Sequence, residues 1–174
     1  MTVKWCVALS VCLLLASPGC MLFKDVSSPS APHTETHASR DKKPRLRSEV
    51  TKDARKYLGT RYKYGGKTST GFDCSGFVSH VLQKNGIPVS GPSYALEKLG
   101  KKISKEKARP GDLVFFRKSR TGKVFHVSMV YENDHGDLTL IHSTSSRGVV
   151  IDKLSESSYW RSKVMTVRDV ISGR

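Results

Sequence analysis

Apolar residues recur with two different periods along residues 48–174, and the period changes near residue 110. Between Cys74 and Asn85, Phe77, Val78, Val81 and Leu82 fall at i, i+1, i+4 and i+5, one face of a helix. Asp73 is a natural N-cap for it and Gly86 a natural stop. A similar stripe, Val50, Ala54, Tyr57 and Leu58, follows Ser48, which reads as an N-cap, and ends at Gly59. Pro92–Leu99 predicts a third, short helix. After the turn Arg109-Pro110-Gly111-Asp112 the pattern becomes that of strands: 113–116, 124–131, 138–142, 149–151 and 164–170. Turn signals separate them, including Arg120-Thr121-Gly122-Lys123 and the stretch from Asn133 to Asp137. Ser155–Trp160 reads as a last helical turn. Helices first and neighbouring strands after predict an α+β domain, with N-terminal helices packed on an antiparallel sheet. Residues 48–174 suffice for one core and not two.

The amino end is different. Lys4 precedes an apolar run from Val7 to Ala16, broken by Ser10 and followed by Ser17-Pro18-Gly19-Cys20. The run is about half of the ~20 residues a bilayer span needs. A basic start, a short apolar core and small residues predict a signal peptide over residues 1–19. Cys20 resembles the modified cysteine of bacterial lipoproteins, although Ser17 stands where that signature usually has Leu; ordinary cleavage nearby is the rival. Residues 20–47 carry Ser27-Ser28-Pro29-Ser30-Ala31-Pro32 and Arg40-Asp41-Lys42-Lys43-Pro44-Arg45 with no usable period. They read as a flexible tether. His33 and His37 are spaced i, i+4, but with no supporting ligands they do not make a metal site. No metal and no cofactor is expected.

The cysteines stand at 6, 12, 20 and 74. If the first two leave with the signal and Cys20 carries lipid, Cys74 is the one thiol of the mature domain. An unpaired cysteine in an exported protein points to reactivity, not to a disulfide framework. Cys74 also falls in a helix's first turn, where free N–H groups and the dipole favour a thiolate and predict a lowered pKa. The competing reading is a small buried cysteine that packs a helix start.

Two histidines lie on the strands. In 124–131, His126 and Ser128 share the face opposite Phe125, Val127 and Met129; His142 ends the next strand. Eight steps either way from a hairpin centre at Asp134 reach His126 and His142. With that register the imidazoles are direct cross-strand neighbours, and a one-residue slip puts them on opposite faces. His80 is six residues after Cys74, about 120° off its face at roughly 100° per residue, and is badly placed to be its base. His135 sits in a polar turn and is expected to be solvated.

Together, Tyr62, Gly65-Gly66, the run Asp73-Cys74-Ser75-Gly76-Phe77-Val78, the run from Arg109 to Phe116, His126-Val127 and His142 resemble the NlpC-type cell-wall cysteine peptidases. The resemblance covers Thr51–Val170, with the motifs in order. The stretch from His142 to Val149 and the lipobox-bearing layout look most like the Spr-type lipoproteins. The resemblance implies a papain-like fold that cleaves peptidoglycan stem peptides next to diaminopimelate. The bond is either γ-D-glutamyl–diaminopimelate or the D-alanine–diaminopimelate cross-link. It implies Cys74 as nucleophile, His126 as base and His142 as the residue orienting the base. Tyr62 takes the place of an oxyanion-pocket tyrosine. Asp73 and Ser75 either contact the substrate's amine or simply cap the helix. It further implies a monomer in the cell envelope, anchored by lipid and facing the periplasm.

The net charge of +15 raises the question of nucleic acid. The cations are scattered, no nucleic-acid motif appears, and export argues against that partner. A wall rich in carboxylates is the better attractor. Two other readings remain: thiol-dependent amidase or acyltransferase chemistry on another envelope substrate, and a non-catalytic wall-binding module.

Overall fold

The computed structural model describes residues 37–172. The elements in order are helix α1 (His37–Arg55), strands β1 (Lys67–Thr68) and β2 (Gly71–Phe72), helices α2 (Cys74–Lys84) and α3 (Ser93–Leu96), and strand β3 (Lys101–Ile103). Strands β4 (Leu113–Arg117), β5 (Val124–Asp134), β6 (Asp137–Thr144) and β7 (Gly148–Lys153) follow, then α4 (Ser158–Arg161) and β8 (Val164–Asp169). Short 3₁₀ turns occupy Lys105–Lys107 and Leu154–Glu156. Among the described residues, no helix is long and apolar enough to cross a membrane.

Six strands form one antiparallel sheet in the order β3-β8-β4-β5-β6-β7. Helices α1, α2 and α3 cover one face, as expected of an α+β fold. Val50 and Ala54 of α1 and Phe77, Val78, Val81 and Leu82 of α2 meet Leu113, Phe115, Val127, Met129 and Ile141 there. All of them are fully buried. The other face carries a second cluster, with Val114, Phe116, Val130, Leu140 and Val167 under the partly buried Trp160. The alternation along β4 and β5 feeds both layers.

Two expectations need correction. Ser48 is not the cap of the first helix: α1 begins at His37, so residues 37–47, read as tether, are helical, with Pro44 inside. The reason is tertiary. Arg47 of α1 is buried, and its guanidinium reaches Asp112 (2.7 Å), the Pro110 carbonyl (2.8 Å) and Asp169 (2.7 Å). Those contacts hold a turn that has no apolar stripe of its own. Residues 1–36, with Cys20 and the signal, lie outside the described residues. The short strands β1, β2 and β3 were not legible as strands.

The second correction concerns the hairpin. Its turn is His135-Gly136, both at positive φ (49° and 101°), with Asp134 opposite Asp137. That register, continued, would place His142 on the face away from His126. The ladder shifts by one residue between Val130 and Glu132, and Val130 then pairs with Leu140 and Met129 with Ile141. The bulge at Tyr131 restores the parity. The histidines share a face as diagonal neighbours and are not directly opposite.

Candidate active site

The site begins with the cap of α2. Asp73 is extended, and its Oδ1 accepts from the Gly76 N–H at 2.6 Å and from the Ser75 hydroxyl at 2.9 Å. Gly66 presses onto this turn. Its carbonyl accepts from the Asp73 N–H at 3.0 Å, and a Cβ on Gly76 would sit 1.9 Å from the Gly66 oxygen. Only a glycine fits at residue 76, so the Gly65-Gly66 pair and the Asp-Cys-Ser-Gly run are two sides of one backbone contact. Asp73 and Ser75 are both committed to the cap, and neither lines the cleft.

Cys74 is thereby fixed at the first position of α2, half buried, with a free thiol. The paired part of β5 and β6 ends at Met129 and Ile141. Beyond that point the Val127 N–H, with those of Ser75 and Cys74, lies near the Cys74 sulfur. These groups favour a thiolate, yet the pKa is not lowered as the helix start predicts. Burial pushes the thiol up, with a smaller push from the charge of Asp73, and outweighs them.

His126 and His142 meet where the strands part. His126 Nε2 lies 2.9 Å from His142 Nδ1, and the rings stand edge to face at 5.1 Å. His142 is fully buried, and its Nε2 lies 3.0 Å from Oδ2 of Asp152 on β7. Arg147 grips Asp152 with both terminal nitrogens. Burial first, and the neighbouring His142 ring second, hold His126 well below the ordinary histidine range. Trp160 of α4 contributes to that burial, stacking on His126 at 4.5 Å and standing edge-on to His142 at 5.0 Å. The hydrogen bond from His142 holds the Asp152 carboxyl far below the usual range; burial opposes it and Arg147 adds to it.

A cavity of about 480 Å³ opens over this group. Tyr62, Cys74 and His126 line it together, with Phe125, Trp160 and the Ser143–Arg147 loop. Burial raises the Tyr62 phenol, and so do the nearby Cys74 and Asp73. The Ser143 hydroxyl donates to the Phe72 carbonyl at 2.8 Å in the interior. That bond ties the strand of His142 to the segment leading into Cys74.

Of the residues picked out in the sequence, Cys74, His126, His142 and Tyr62 come together. His80 does not: its Nε2 lies 2.9 Å from the Tyr57 hydroxyl, away from the cleft. The His135 side chain is fully exposed. Asp152, Arg147 and Trp160 were missed. A lone acid in the apolar strand Val149-Val150-Ile151-Asp152 was the only available sign of the first.

A thiol at a capped helix start, beside two linked histidines on an antiparallel sheet, defines a papain-like α+β domain. The chain belongs to the NlpC/P60 family, which it matches over residues 59–169. It is 33% identical over 128 residues to the murein DD-endopeptidase MepS/murein LD-carboxypeptidase of Escherichia coli K12, covering 73% of this chain and 64% of that protein. It is 36% identical over 123 residues to the gamma-DL-glutamyl hydrolase of Bacillus subtilis, covering 70% of this chain and 29% of that protein. The chain thus spans less than two thirds of the length of these relatives. Among solved structures, the NlpC/p60 domain of the peptidoglycan hydrolase SagA superposes with a TM-score of 0.57 at 31% identity, covering 71% of this chain and 97% of that domain. An NlpC/P60 family protein from Bacillus cereus superposes with a TM-score of 0.65 at 28% identity, covering 72% of this chain and 40% of the other.

Proposed function

We propose that the protein is a peptidoglycan endopeptidase that uses Cys74 as nucleophile. It cuts stem-peptide amide bonds next to diaminopimelate, at the γ-D-glutamyl bond or at the D-alanine cross-link. The observation that carries the reading is the convergence of Cys74, His126 and Tyr62 on one cavity, with His142 bonded behind His126. Family membership and the names of the relatives, which include both a DD-endopeptidase and a gamma-DL-glutamyl hydrolase, supply the substrate class.

The steps follow from the positions. In the empty cleft, burial keeps both thiol and imidazole neutral. His126 Nε2 is occupied by His142, so Nδ1 is the nitrogen left for the thiol proton. As the sulfur attacks the carbonyl, that proton moves to Nδ1. The charge that develops on the carbonyl oxygen meets the Cys74 N–H at the helix start and the Tyr62 hydroxyl. The C–N bond breaks as His126 returns the proton to the leaving amine. Water, deprotonated by His126, then attacks the thioester and frees the thiol. Digestion of purified muropeptides followed by mass spectrometry identifies the bond from the product masses. Cys74→Ala is expected to abolish hydrolysis with an unchanged circular dichroism spectrum; a variant that still digests at a comparable rate removes the mechanism.

For the amino end we propose that residues 1–19 are a signal and that Cys20 is lipidated, holding the domain on the periplasmic side of a membrane as a monomer. The support is the short apolar core before Gly19-Cys20. Cys20→Ser is expected to move the protein from the membrane fraction to the soluble periplasm. A wild type already fully soluble ends the anchor reading and leaves the enzyme reading intact.

A further inference from the structure

We propose that Asp152, steadied by Arg147, is a positioning residue that sets the tautomers of both histidines and supports the charge His126 takes up. The inference rests on the cysteine-peptidase reading above. Its starting point is the unbroken chain of polar contacts from Arg147 through Asp152 and His142 to His126. Three strands supply the last three members: β7, β6 and β5. In the β6–β7 register Asp152 faces Leu140, two residues from His142, so Asp152 reaches that ring diagonally. Asp152 does not line the cleft and acts only through His142.

The direction of the chain follows from donor and acceptor chemistry. An ionised carboxylate only accepts, so His142 donates Nε2–H to Asp152. A neutral imidazole has one N–H, which leaves His142 Nδ1 as an acceptor. His126 Nε2, 2.9 Å away, must then donate to it. That leaves the lone pair of His126 on Nδ1, the nitrogen free for the thiol. Without Asp152, His142 is free to carry its proton on Nδ1 and donate to His126. The proton of His126 then sits on Nδ1, and the base is lost. One acceptor on β7 thus decides whether β5 presents a base or an acid to the cleft.

The charge matters as well as the bond. Burial opposes an imidazolium on His126, yet the reaction makes one. The groups around that ring are Cys74 and Tyr62 across the cleft, Tyr159 and Trp160 on α4, and His142 behind it. Of these, none is a carboxylate; Asp152 is the carboxylate linked to them. Among the described residues its other partner is Arg147, which lies half exposed at the cleft rim, while neighbouring Lys153 turns to Asp137 at 3.3 Å.

The test uses the full-length protein with Asp152→Ala and Asp152→Asn. Nitrogen NMR of ¹⁵N-histidine-labelled protein reports the tautomers without substrate. In the wild type His126 is expected with Nε2 protonated and Nδ1 bare. Asp152→Ala is expected to give mixed tautomers at His126. Its kcat/KM on a defined muropeptide should fall about 10–100-fold, the scale seen when a partner that orients a metal-bound histidine is lost. The loss is expected in kcat, with KM little changed. Asp152→Asn retains an acceptor but no charge. It should keep the tautomers and move the acid limb of the kcat/KM profile to lower pH, because His126 without the charge behind it takes up a proton less readily. Asp152→Ala with wild-type tautomers overturns the proposal, as does a folded Asp152→Asn with an unmoved acid limb. A tautomer change in a protein that hydrolyses no muropeptide supports the relay and removes the peptidase reading. Hydrolysis with unchanged tautomers does the reverse.

Discussion

Two clusters of buried charged and polar side chains stand out among the described residues, and they differ in whether they border a cavity. At one end of the sheet, Arg47 bridges Asp112 and Asp169, and Arg109 adds a 2.8 Å contact to Asp169. Backbone N–H groups complete both acids: Arg109 donates to Asp112, Ile171 and Ser172 to Asp169. At the other end, Asp152, His142 and His126 form a line that ends at a cavity lined by His126 and Cys74. The first cluster, whose carboxylates are all paired although the Arg47 Nε has no partner among the described residues, joins α1 to the turn before β4 and to the C-terminal residues. The second leaves a position open for a substrate. Burial of ionisable groups alone does not mark function; burial with an open position does.

The largest expected effects belong to the open cluster. His126→Ala should lower kcat/KM by at least the 10²–10⁴-fold that general acid–base catalysis supplies. His142→Ala should cost less, since it removes orientation and not the proton carrier. His142→Asn should be the mildest of the three, because an amide oxygen can still accept from His126 Nε2–H. The measurement is kcat/KM on one defined muropeptide, with thermal unfolding as the control. An active His126→Ala enzyme would overturn the assignment of the base.

The closed cluster should answer in stability alone. Arg47→Ala leaves Asp112 buried and unpaired, which costs about 3–5 kcal/mol for a broken buried pair. Urea unfolding is expected to show that loss, while kcat/KM of the folded fraction stays at the wild-type value. The pH dependence has two parts of opposite sign. Burial opposes ionisation of Asp169, but the Ser172 and Ile171 N–H groups with Arg47 and Arg109 hold it down to about 2. Its contribution is complete above the unfolded value of about 3.9 and is lost as pH falls through the folded one. Burial pushes Asp112 up to about 6 against the pull of Arg47. Its ionisation therefore costs stability above the unfolded value, and that cost is recovered as pH falls from 6 to 4. His126, held well below its unfolded value of about 6.5, loses stability over the same range, so the Asp112 gain is read as a difference. From pH 6 to 4 the wild type should gain melting temperature relative to Asp112→Asn, and both should drop below that.

The contrast also explains what could be read from the sequence. Local signals gave α2, its Asp73 cap and five of the six strands of the main sheet, because period and turn chemistry act over a few residues. Cys74, His126, His142 and Tyr62 were legible through the order of motifs. Partners joined across long separations were not: Arg47 with Asp169, or His142 with Asp152, depends on strand order and register. The bulge at Tyr131 shows how little that register owes to counting. Placing Asp134 at the hairpin centre put both histidines on one face, but by a pairing the domain does not use.

The smallest effect expected on activity is that of His80, and it is the sharpest test of the distinction between the two ends. His80 is partly buried on α2 in the same helix as Cys74, bonded to the Tyr57 hydroxyl and packed 5.1 Å from the ring of Phe72. By proximity in sequence it is the most obvious partner for the thiol. By geometry it is a structural histidine, with its Nε2 used by Tyr57 and its ring outside the cleft. His80→Ala removes one hydrogen bond and some aromatic packing, so it should lower stability by about 1–2 kcal/mol. His80→Gln, which keeps a polar group for Tyr57, should recover part of that. In both, kcat/KM should stay within about twofold of the wild type at a temperature where the variants are fully folded. A loss of a hundredfold or more in a folded His80→Ala protein would mean that the open cluster extends along α2, and that satisfied bonding is not enough to set a buried histidine apart from the chemistry.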